Sequence, residues 1–166
     1  MADPKPRDTI SSTQLQMMQR CPEAARRRYV EGEIVPPGIA QLRGTAVHRA
    51  VAANMRAKRD SGILLSVEHV QTIAAETVDM ESTAGLMLTD EEEDRGTAKV
   101  LGECKDVAVS LSGLHATALA PSIDPEHIEA EIVSAPLEAL GGKKLIARLD
   151  LTEKNVKRFL WSEAHC

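Results

Sequence analysis

The chain has 166 residues, 43% of them hydrophobic, and 25 Asp and Glu outnumber 20 Lys and Arg for a formal net charge of −5. That length makes one domain of ordinary size, or a large part of one, and the acidic balance argues against a nonspecific polyanion binder. No apolar run approaches the roughly 18 residues needed to span a bilayer. "MADPKPRDT" has no apolar h-region, so the expected setting is the cytoplasm, with no membrane partner.

The hydrophobic residues are unusual in kind. With one Trp, one Tyr and one Phe, the core must be built from Ala, Val, Leu, Ile and Met, which suits close helix packing. Three isolated cysteines, Cys21, Cys104 and Cys166, show neither a CxxC nor a metal-finger spacing and fit a reducing compartment. Residues 1–9, with Pro4, Pro6 and charged neighbours, read as a disordered arm, and residues 10–166 as a single domain.

"ISSTQLQMMQRCPEAARRRYVEG" predicts a short helix capped by Ser11 or Ser12, a corner at Cys21-Pro22, and a second short helix ending near Gly32. Cys21, beside the helix-starting proline, is expected to be a buried structural thiol. "EIVPPGIAQ" reads as a loop. Residues 43–59 form the next helix, with Ala46, Val47, Ala50, Val51 and Met55 as its apolar stripe and Asp60-Ser61-Gly62 as its stop. His48 lies at the edge of that stripe, one turn after Gly44, whose missing side chain lets a backbone or a ligand come close.

Residues 66–81 repeat the helical spacing through Val67, Val70, Ile73, Ala74 and Val78. Thr89 and Glu92 make a capping-box pattern, and the run Glu91 to Asp94 suits the positive end of a helix dipole. From there one long stripe runs through Val100, Cys104, Ala108 and Leu111 towards Pro121. Beyond Pro121 the period changes to two. Ile128, Ala130 and Ile132 alternate with polar residues, Gly141-Gly142 signals a hairpin, and Leu145, Ala147, Leu149 and Leu151 continue the alternation. Arg148 can pair with Glu131 across that hairpin, and "VKRFLW" can begin a third strand. The order, helices first and then an antiparallel meander, predicts an α+β fold.

Three stretches, "SSTQLQMMQRCPEAARRRYVEG", "GTAVHRAV" and "LIARLDLTE", together resemble the RecB-like, Cas-type exonuclease branch of the PD-(D/E)XK nuclease superfamily. The resemblance implies a helical amino-terminal half packed on the first strands of a restriction-endonuclease-like mixed sheet. It further implies phage or bacterial DNA repair or recombination, with Mg²⁺ or Mn²⁺ as cofactor and DNA ends as substrate. His48 would be a metal ligand and Asp150 the central carboxylate. Magnesium prefers oxygen ligands, and manganese accepts an imidazole as well. The family often carries a glutamate on the preceding strand, where Glu129 and Glu131 alternate outward. Residue by residue, only His48 and Asp150 have matches among the family's catalytic positions.

The family's next strand carries Asp/Glu-x-Lys, and "LTEKNVKRFLWSEAHC" after Asp150 holds no such triplet. The expectation is therefore a chain truncated or frame-shifted before that motif, inactive as a nuclease and open to self-association through an exposed sheet edge. Some relatives bind a four-iron cluster through one cysteine near Cys21 and three near the carboxyl terminus. Cys166 stands alone there, so no cluster is expected.

Other readings of the same residues stay open. His48 also reads as a packed or surface histidine, and Asp150 as an outward polar residue before a turn. Arg20, Arg26, Arg27 and Arg28 suit a phosphate backbone, yet successive helical residues diverge by about 100° and also suit solvent. A noncatalytic DNA-binding or protein-interaction helical module is the alternative function.

Overall fold

The structure, a computed structural model, describes residues 8–154. Helices α1 (Ser12–Arg20) and α2 (Pro22–Tyr29) meet at the expected corner. Ser11 caps α1 reciprocally: its hydroxyl accepts from the Gln14 N–H at 3.2 Å, and Gln14 Oε1 accepts from the Ser11 N–H at 2.7 Å. Pro22 opens α2, where its missing N–H would have had no helical partner. Cys21 is exposed, not the buried thiol expected. Among the described residues the two short helices bury only Ala25, and their junction stays exposed.

Helix α3 (Ile39–Ser61) begins four residues before the expected start at Arg43. Pro36, Pro37 and Gly38 do break the chain, but the break ends at Gly38, whose carbonyl accepts from the Leu42 N–H at 2.9 Å. The helix stops at Gly62, which takes the left-handed conformation at φ 74°. Helix α4 (Val67–Ser82) follows, capped by Ser66. Thr89 and Glu92 form their capping box, but α5 (Asp90–Arg95) is one short element. Gly96, at φ 86°, separates it from α6 (Thr97–Leu114), so the single long stripe is two helices. A π-helical turn over His115–Leu119 then closes the helical half.

Helices α3, α4 and α6 pack through small side chains, many of them alanine methyls. Ala46 and Ala50 of α3, Ala74 of α4 and Ala108 of α6 are all at 0% exposure, flanked by Leu42, Val70 and Val78. Small residues let helix axes approach closely, which is how a chain so poor in aromatics makes a core.

Strands β2 (Pro125–Leu137) and β3 (Lys143–Glu153) form the expected antiparallel hairpin. Its turn holds a short 3₁₀ segment, Glu138–Leu140, and Gly141 and Gly142 at φ 63° and 79°. A further strand, β1 (Thr9–Ser11), pairs parallel with Lys144, Leu145 and Ile146 of β3, giving a mixed sheet in the order β1-β3-β2. Thr9 therefore belongs to the fold, and the Asp8 carbonyl accepts from the Lys144 N–H at 2.9 Å. Of the arm expected over residues 1–9, residues 1–7 lie outside the described residues, as does the third strand expected at residues 156–161. Because β1 is so short, residues 147–153 have no strand on that side among the described residues.

A second, smaller cluster fastens the sheet to the helices. Ala52 and Met55 of α3 bury against Ala120 and Ile128, with Leu64 and Leu151 packed alongside. Beside it Lys58 extends its ammonium into three carbonyls, donating to Ala120 O and Pro121 O at 2.9 Å and to Ile123 O at 2.6 Å. The architecture is α+β, with the helical half packed against a mixed sheet. Among the described residues no helix is long and apolar enough to cross a membrane.

Candidate functional site

The packing of α3 on the hairpin decides where its side chains go. Ala52 and Met55 take the buried face, which leaves His48, one turn earlier, at the rim where α3 passes over the strands. On the hairpin, Ile128 pairs with Leu151 and Ala130 with Leu149, which sets Glu129 across from Asp150. Leu149 and Leu151 are half-buried, and Asp150 between them is exposed.

The outcome brings His48 and Asp150 together. His48 Nε2 lies 2.9 Å from Asp150 Oδ1, although roughly a hundred residues separate them in the chain. On the other edge of the ring, Nδ1 lies 3.6 Å from Glu129 Oε1. That is an electrostatic contact, too long for a hydrogen bond. The second oxygen of Glu129 is ion-paired with Arg56. Arg49 also reaches the site but is engaged, its Nη1 2.7 Å from Glu81 Oε1.

These residues line a cleft of about 680 Å³, walled by Glu129, Glu131 and Asp150 on the sheet side and by Gly44, Thr45, His48 and Arg49 on the α3 side. Gly44 has open space where a side chain would stand. Among the described residues nothing lies within 4 Å of that position, so the backbone of α3 is open to the cleft there. Asp150 remains 78% exposed and His48 41% exposed. Pairs this open to solvent add only about 0–1 kcal/mol to stability, so holding the fold together does not account for the arrangement.

The donor set suits one divalent cation at its edge. Ligands at 2.0–2.1 Å on neighbouring octahedral positions lie about 3 Å apart, close to the 2.9 Å between Nε2 and Oδ1. An imidazole with a carboxylate favours Mn²⁺ over Mg²⁺. Glu129 faces the opposite nitrogen, and among the described residues no three His, Cys, Asp or Glu side chains form a metal-holding group. The fit is to two protein ligands with water completing the shell.

The arginines predicted to meet nucleic acid stand apart from this cleft, on α1 and α2. Arg26 is held by Glu23, at 2.9 Å through Nε and 2.8 Å through Nη2, and also by Glu31. Arg27 contacts Glu23 at 3.2 Å. These guanidiniums, Arg26 first, bring the Glu23 carboxyl down to about 2. The Arg28 guanidinium sits 6.0 Å from the centroid of the Tyr29 ring. Arg20 lies in the last turn of α1, exposed. Arg26 and Arg27 of this patch are paired within the chain, which the sequence run alone does not reveal.

The sequence reading did not link Glu129, Arg49 and Arg56 to His48. A signal for Glu129 was present: the hairpin register that sets residue 131 across from residue 148 also sets Glu129 opposite Asp150. Arg56 lies two turns after His48 on the same helix, and nothing local marks it. No family model, curated protein or solved structure matches the chain.

Proposed function

We propose that this chain carries a divalent-cation site of the PD-(D/E)XK type, built on the RecB-like exonuclease plan and directed at DNA phosphodiesters. The observation that supports it best is the 2.9 Å approach of His48 Nε2 to Asp150 Oδ1. The sequence motifs single out the same two residues, and the apolar seating of α3 on the hairpin holds them face to face. When bound, the cation would polarise a phosphate and lower the pKa of a bound water. His48 and Asp150 would hold it, and the acidic walls would keep its local field strong. The opening beside Gly44 would admit a sugar-phosphate chain.

Residues 151–166 contain no Asp/Glu-x-Lys triplet, so none of them supplies a lysine at the spacing that would stabilise charge developing on the phosphate. The expected behaviour is therefore Mn²⁺ binding without nuclease turnover. The test pairs Mn²⁺ titration with cleavage of linear single- and double-stranded DNA. No Mn²⁺ binding would remove the site from consideration. Robust cleavage abolished by His48→Ala would keep the site and overturn the inactivity.

The alternative, a noncatalytic DNA-binding or protein-interaction module using the arginines, has less behind it. A phosphate would have to displace Glu23 and Glu31 from Arg26 and Arg27. DNA retention that disappears on replacing Arg26, Arg27 and Arg28, and survives Asp150→Asn, would favour this alternative.

A further inference from the structure

Glu129 combines three features that single it out. Among the described residues it is the one non-glycine with positive φ, at 52°. The left-handed region costs an ordinary L-residue about 1–2 kcal/mol, and such strain persists where the surroundings enforce it. It stands opposite another carboxylate, Asp150, and like charges directly across a strand pair repel. Its two oxygens are divided between Arg56 and the Nδ1 edge of His48.

The His48 ring needs outside help to hold one orientation. It is 41% exposed, so packing alone does not lock it. Helix α3 sets where its Cβ stands, but rotation about the side-chain bonds remains. On the Nε2 edge it meets Asp150 and on the Nδ1 edge Glu129, carboxylates from two neighbouring strands. Glu129 could itself swing towards a cation shared with Asp150. Arg56 opposes that swing by holding the second oxygen from a position about 12 Å further along the α3 axis.

We propose that the Arg56–Glu129 pair is a positioning clamp: it steadies the imidazole of His48 from the Nδ1 side, so that Nε2 is presented to the cleft beside Asp150. Glu129 is a positioning residue, not a ligand, and Arg56 is what keeps it one. This deepens the cation-site reading above and rests on it. The strained backbone at residue 129 is the device that aims the carboxylate at both α3 side chains. Carboxylates that accept a hydrogen bond from the far nitrogen of a metal-binding histidine orient the ring, and their loss weakens metal binding about 10–100-fold; Glu129, at 3.6 Å, acts on the ring through charge.

The test uses the full chain as wild type, Glu129→Ala, Glu129→Gln, Arg56→Leu and Asp150→Asn. Ala and Gln make the same backbone demand at residue 129 as Glu does, so strain is held constant. Mn²⁺ affinity is read from the paramagnetic resonance of free Mn²⁺. His48 ring order is read separately, from NMR relaxation of the ring carbons in cation-free protein. Expected are a loss of affinity of about 10-fold for Glu129→Ala, Glu129→Gln and Arg56→Leu, and near-complete loss for Asp150→Asn. Ring order should fall in Glu129→Ala, Glu129→Gln and Arg56→Leu, because each removes the charge pair. Unchanged ring order across the set overturns the clamp. So does a Glu129→Gln loss as large as that of Asp150→Asn, which would make Glu129 a ligand. If wild type binds no Mn²⁺ but ring order falls as expected, the clamp stands and the cation reading falls.

Discussion

Gly44 and His115 each put one residue at odds with its surroundings. Gly44 lies inside α3, where glycine is less favourable than alanine by roughly 0.5–1 kcal/mol, and open space surrounds its missing side chain. Gly44→Ala should therefore raise the unfolding free energy by about that amount in urea titrations, because nothing clashes. The same change should weaken DNA-end binding in a mobility assay and leave Mn²⁺ affinity intact. Equal DNA binding would mean that the glycine serves no ligand. His115 has its Nδ1 buried without a hydrogen-bond partner among the described residues, and burial lowers its pKa from the ordinary 6.5. As pH falls through 6.5 the unfolded chain takes up its proton first, and the folded protein follows only at lower pH. Between those two points stability declines with acidification. Melting temperatures at neutral and mildly acidic pH should show a smaller acid-side loss for His115→Gln than for wild type. Parallel losses would contradict this.

At the scale of elements, the helical half was more legible than the sheet. Caps and stops are local signals, so a cap at Ser11 or Ser12, Thr89 with Glu92, and Gly62 could be read directly, and Gln14 decides for Ser11. Gly96 is also local, yet a capped start followed by an apolar stripe hides a break of one residue. Strand β1 was illegible because three residues carry no period, and their pairing partner lies far along the chain. Of the site, His48 and Asp150 were readable as motif residues, whereas Arg56 acquires meaning only once α3 lies over the hairpin. Lys58 is similar. Its cationic cap joins α3 to the segment after the π-helical turn, and no sequence pattern announces contacts to backbone carbonyls. Lys58→Met should keep the stem's packing and lose the donors. We expect a loss on the order of 2 kcal/mol in urea denaturation, the usual scale for charged hydrogen bonds. A change below a few tenths would show that water satisfies those carbonyls equally well.

For the whole molecule, the two apolar clusters divide the labour. The larger one builds the helical half, and the smaller one seats the sheet beneath α3. Ile128→Ala, in the smaller cluster, should cost about 2 kcal/mol or more through lost burial and the cavity it leaves. The expected signature is regional: amides of β2 and β3 should exchange faster while far-ultraviolet dichroism retains its helical signal. Mn²⁺ affinity should fall with it, because Asp150 and Glu129 travel with the hairpin. Loss of protection spread evenly over helices and strands would instead mean that the two halves unfold as one.

The methyl-lined interface among α3, α4 and α6 has a further consequence. The close packing of Ala46, Ala50, Ala74 and Ala108 with Leu42, Val70 and Val78 leaves α3 little room to roll or slide without a void or a collision. The imidazole is thus anchored to one half of the protein and the carboxylates to the other. Whatever ion or group draws them together also clasps the halves, and its arrival should stiffen the junction from outside, as a buckle tightens a strap it does not touch along its length.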